Sequence, residues 1–119
     1  MLAVGEHVLG DLEPQCARMA TGLAGGVGDT QQEMCGALSG GVLVIGGLLG
    51  RKSLNESDLP ALDLATRYRA HFLEQLGATQ CARLREMVHA PGGLGSCAAL
   101  VERAAAILLG LFMEAERGA

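Results

Sequence analysis

The chain has 119 residues, half of them apolar, a net charge of −4 and an aromatic content of only 3%. That length suits one domain with one core, and the apolar share can build it without disulfide staples. The scattered arginines make no basic stripe and no aromatic–basic interleaving, which argues against a nucleic-acid partner.

Tyr68, Phe72 and Phe112 are the whole aromatic supply, so Ala, Leu, Val and Gly must do the packing. Strand formers are scarce and Ala/Leu-rich segments dominate. We expect an all-α fold, a small single-domain bundle of about five to six helices over residues 1–119, arranged around a glycine-rich central helix. The start, Met1 to Glu6, lacks the basic residues and long apolar run of a secretory signal. This points to the cytoplasm, where thiols stay reduced. Four cysteines there read as catalytic, redox or metal-binding before structural.

In chain order, Leu2 to Leu9 reads as a short helix stopped by Gly10. Glu13-Pro14 can open a second, since proline is tolerated in a first turn. Cys16, Met19, Ala20 and Leu23 then share one apolar face, which makes Cys16 a buried small hydrophobe. Gly22 to Gly28 reads as a loop. Thr30 with Glu33 matches a capping box, predicting a helix from about Gln31 to Leu49, stopped by Gly50, with Cys35 in its second turn. Met34 to Gly50 is uncharged but slightly short of the roughly 20 residues that cross a bilayer, so it reads as a buried central helix rather than a stable membrane span.

A polar connection, Arg51 to Asp58, leads to a helix over Leu59 to Leu76, with Leu62, Ala65, Phe72 and Leu76 along one side and Gly77 ending it. Thr79 is a candidate N-cap for a short helix reaching about Val88, and His89 to Gly95 is a loop. Ser96 can cap a last helix to about Glu116. Its Ala104 to Met113 stretch is apolar around more than one face, from which we expect a homodimer.

This layout places Cys81 and Cys97 at helix starts. There the unpaired N–H groups and the positive dipole end favour thiolate, the form that attacks disulfides and binds metals. Around Cys35, the residues Gly36, Ala37 and Gly40 leave little bulk. A cofactor or a second cysteine could come close at Gly36 and Gly40, or the two glycines could be a packing seam between helices. No C-x-x-C occurs, so any dithiol is assembled in three dimensions. His89 could join a metal site, but its spacing to Cys81 and Cys97 matches no zinc-finger template. His7 and His71 read as surface residues.

Cys35-Gly36-Ala37-Leu38-Ser39-Gly40 matches C-G-A-x-x-G. It is preceded by the glycine-rich run Ala20 to Gly28 and followed by Phe72-x-x-x-x-Gly77, Cys81-Ala82-Arg83-Leu84 and Cys97 with Leu100-Val101. Over about residues 17 to 112 this resembles the redox-active C-GCAxxG-C-C family, some members of which carry selenocysteine. The resemblance implies a helical protein with Cys35, Cys81 and Cys97 at the family positions. The family's first cysteine lies in a helix before any counterpart of Met1, and Cys16 does not stand in its place.

Two functions compete. In the first, thiol–disulfide chemistry runs on Cys35 or Cys81 as nucleophile, with Cys97 as partner and an unnamed redox protein as the external couple. In the second, Cys35, Cys81 and Cys97, joined by Cys16, hold an iron–sulfur cluster or another soft metal. A helical interaction protein with inert cysteines is the third reading.

Overall fold

The computed structural model describes residues 2–117, so Met1, Gly118 and Ala119 of the expected domain lie outside it. Six helices follow one another: α1 (Leu2–Leu9), α2 (Pro14–Met19), α3 (Gly36–Leu49), α4 (Leu59–Leu76), α5 (Cys81–His89) and α6 (Cys97–Arg117), with a 3-10 turn at Thr21–Leu23. The fold is all-α. Among the described residues the only β pairing is an isolated antiparallel bridge between Met34 and Gln80.

Most ends follow from local chemistry. Gly10 takes φ +80° after α1 and Gly77 takes φ +89° after α4, a region glycine enters at no steric cost. The Gly77 N–H donates to the Leu73 carbonyl at 2.8 Å. Ser96 caps α6, its Oγ accepting from the Ala99 N–H at 3.1 Å.

The α3 start departs from the capping-box expectation. A helix beginning at Gln31 would need the Gln31 carbonyl to accept the Cys35 N–H. Instead that N–H donates to Thr79 O at 2.8 Å, while Gln31 O accepts from Ala82 N at 3.0 Å. The Thr30 hydroxyl donates toward the Gly26 and Val27 carbonyls and accepts from the Gln32 N–H, not from the Glu33 N–H of a capping box. The helix therefore starts at Gly36, with Cys35 as its N-cap. Likewise Gln80, not Thr79, is the N-cap of α5, so Cys81 is its first residue.

Upstream, residues 25–29 all take left-handed φ, between +58° and +68°. Three are glycines, but Val27 is β-branched and costs roughly 1–3 kcal/mol there. The turn is held by Gly28 N–H to Gly22 O at 2.9 Å and Gln31 N–H to Gly25 O at 2.8 Å.

α3, α4 and α6 pack on one another, α1 lies against α3 and α6, and α5 against α6. The core comes from one stripe of each long helix: Leu38, Val44 and Ile45; Leu64, Tyr68, Phe72 and Leu76; Leu100, Ala104, Leu108 and Leu111. Tyr68 lies edge-on to Phe72, with ring centroids 6.1 Å apart. Gly41 lets α4 come close, since a Cβ there would sit 2.5 Å from the Tyr68 ring.

Two packing expectations are corrected. α3 buries one face only, and Val42, Leu43 and Leu48 of its outer face are exposed. Leu62 is 54% exposed, because the buried stripe of α4 runs through Leu64 and Tyr68. On α6, Leu111 and Phe112 are buried by their own chain, while Met113 of the same apolar stretch is 53% exposed. No helix among the described residues is long and apolar enough to cross a membrane.

Candidate functional site: a three-thiol cleft

The bridge at Met34 and Gln80 sets the site. The Cys35 N–H donates to Thr79 O at 2.8 Å, the Cys81 N–H donates to Glu33 O at 2.9 Å, and Gln80 Nε2 reaches Gln32 O at 2.9 Å. This sets Cys35 and Cys81 each one residue past the bridge, on the two segments it joins.

α6 brings the third thiol. Cys35, Cys81 and Cys97 all line one open cleft of about 320 Å³, together with Gly36, Gly40, Arg85 and Val101. Each stands at a helix start: N-cap of α3, first residue of α5, first residue of α6. The three thiols differ in access. Cys97 is exposed, Cys35 is half-buried and Cys81 is only 5% exposed. All four cysteines are free.

Burial pushes the Cys35 thiol pKa up. The Ala37 and Leu38 backbone N–H groups pull it down without forming a full capping bond, and the neighbouring Cys81 and Cys97 thiols add to the rise. Beneath it, the Tyr68 hydroxyl donates to Ala37 O at 3.1 Å. Burial first, and the Cys35 charge second, hold that hydroxyl protonated well beyond the usual tyrosine range.

Arg85 was not singled out by the sequence reading, although its place four residues after Cys81 puts both on one face of α5. Its charge is strengthened chiefly by the Cys81 sulfur, then by Cys97 and Asp29. Nη2 lies 3.3 Å from Asp29 Oδ1 in the left-handed turn, while Nε is shielded from solvent without a hydrogen-bond partner.

The glycines have separate reasons. A Cβ on Gly36 would stand 3.3 Å from Leu23 O and 3.4 Å from Ala24 Cα, which makes this residue part of a packing seam as well as of the cleft wall. Gly40 is buried and lines the cleft. Gly26 backs the site: its Cβ would lie 2.7 Å from Cys81 Cβ.

Cys16 departs from expectation. It is exposed, because the six-residue α2 buries none of its residues. It lines a different groove, with Leu9, Leu12, Met19 and Leu43. His89 ends α5, about 12 Å along the axis from Cys81. Among the described residues, no three His, Cys, Asp or Glu side chains are grouped to hold a metal ion.

Six helices among the described residues, with three free thiols lining one small cleft, describe a small all-helical protein. A family model described as "Putative redox-active protein (C_GCAxxG_C_C)" matches residues 1–111, and the chain belongs to that family. No curated protein and no solved structure matches the chain.

Proposed function

We propose that this is a thiol–disulfide redox protein working through Cys35, Cys81 and Cys97. The observation that carries this reading is that three cysteines far apart in sequence, each at a helix start, line one cleft. Exposure distributes their roles. Cys97 is open to an incoming disulfide and stands at the positive end of a 21-residue helix, so it makes the first attack. Cys81 resolves the mixed disulfide from inside the cleft, its thiolate facing the fixed charge of Arg85. Cys35, kept protonated by burial, is the reserve thiol beside Cys81. The sequence reading had Cys35 or Cys81 attack first, and the exposed position of Cys97 favours the reverse order.

An iron–sulfur cluster or another soft metal would draw on the same three thiols. Cys16 lines another groove, so that reading rests on three protein thiols at most. Anaerobic purification followed by an absorption spectrum and a thiol titration tests the two readings. We expect a colourless protein that loses two thiols on mild oxidation, with Cys81 and Cys97 joined in the peptide map. In Cys81→Ser a mixed disulfide accumulates on Cys97. A visible chromophore with stoichiometric iron, or thiols that resist oxidation, would overturn the proposal.

A further inference from the structure

We infer that the substrate of this cleft is a small anionic disulfide whose negative group is held by Arg85; this rests on the redox reading above. At about 320 Å³, the cleft lies at the small end of the range for small-molecule sites, ~300–1,000 Å³. Its walls are otherwise Ala, Gly, Leu, Val and Cys, and Arg85 is the one charged residue of the lining. That guanidinium stands on the same helix face as Cys81, so a carboxylate held by it keeps the attached sulfur close to the thiols.

Arg85 has capacity to spare. Its planar fork carries five donors, and Asp29 engages one nitrogen through a side chain that is 75% exposed. Such a surface pair contributes little and yields readily to a better-placed anion. The starts of α3, α5 and α6 add positive field from three sides of the same cavity.

The chemistry balances as two exchanges. The Cys97 thiolate attacks one sulfur of R–S–S–R, the substrate S–S bond breaks, and R–S⁻ leaves with the electron pair and takes up the proton shed by the Cys97 thiol. The Cys81 thiolate then attacks Cys97 Sγ, and the second R–S⁻ leaves and takes the Cys81 proton. Two cysteine thiols are oxidised to a disulfide and one R–S–S–R is reduced to two R–SH. An external dithiol returns two electrons and two protons and becomes a disulfide itself.

The test uses the reduced full chain and three disulfides of similar size: dithiodipropionate (dianionic), bis(2-hydroxyethyl) disulfide (neutral) and cystamine (dicationic). Rates of thiol loss are measured at low salt against 2-mercaptoethanol as reference. We expect the anion-over-cation rate ratio to exceed that of the reference about tenfold and to shrink as salt is raised. In Arg85→Gln the ratio falls to the reference value, and Arg85→Lys retains part of it. Asp29→Asn raises the ratio by freeing Arg85, a gain that misfolding does not mimic, and asparagine suits the left-handed φ at this position. Fast reaction with all three disulfides at the reference ratio overturns the anionic assignment and leaves the redox reading standing. No reaction with any of them overturns both.

Discussion

Cys81 illustrates how a single side chain is placed by its surroundings. Gly26 backs it at φ +68°, and a methyl there would meet both Cys81 Cβ and the Glu33 carbonyl. Exposure then orders reactivity: iodoacetamide at neutral pH should label Cys16 and Cys97 first and Cys81 last, by at least about tenfold, as followed by peptide mass spectrometry. Cys35 adds a pH signature. Its folded thiol pKa is raised above the ordinary 9.0, so the unfolded chain loses this proton first as pH rises. The stability it contributes is intact below the unfolded value and is lost as pH climbs toward the folded one. Urea unfolding between pH 8 and 10 should therefore show stability falling more steeply in the wild type than in Cys35→Ala.

Among the elements, helix starts carry both the stability and the chemistry. Ser96 makes a real cap on α6. Ser96→Ala should cost about 1 kcal/mol and lower the melting temperature by roughly 4 °C. The Thr30/Glu33 pair has the sequence of a capping box but not its reciprocal bonds: the Thr30 N–H donates to Val27 O and the Glu33 N–H to Gly26 O, while Thr30 Oγ1 accepts only from the Gln32 N–H at 3.3 Å. Glu33→Ala should therefore stay within about 0.5 kcal/mol of the wild type in the same melts. A cost near that of Ser96→Ala would show that the box forms in solution.

At the scale of the molecule, the cleft depends on how closely α3, α4 and α6 approach one another. A close point between α3 and α4 is Gly41 against the Tyr68 ring, at the turn of α3 that follows Ala37. Gly41→Ala must push α4 away and should destabilise the protein by about 1–3 kcal/mol in urea unfolding. It should also speed Cys81 labelling, because the start of α3 moves with Tyr68. Unchanged labelling with full loss of stability would separate the core from the site.

The sequence by itself determined the helices and most of their ends, since those rest on local chemistry: Gly10 and Gly77 as left-handed stops, Pro14 in a first turn, Ser96 as a cap. It also singled out Cys35, Cys81 and Cys97, because their neighbours along the chain carry the family pattern. The tertiary structure alone decided what those thiols face. The late start of α3 and the nearness of Cys35 to Cys81 depend on hydrogen bonds between residues 31–35 and 79–82, segments that no local pattern pairs. Which side of α3 meets a neighbour, why Cys16 stays outside, and how Arg85 comes to face the thiols follow from the same long-range packing. Spacing along one helix tells which residues share a face; only the packed fold tells what that face meets.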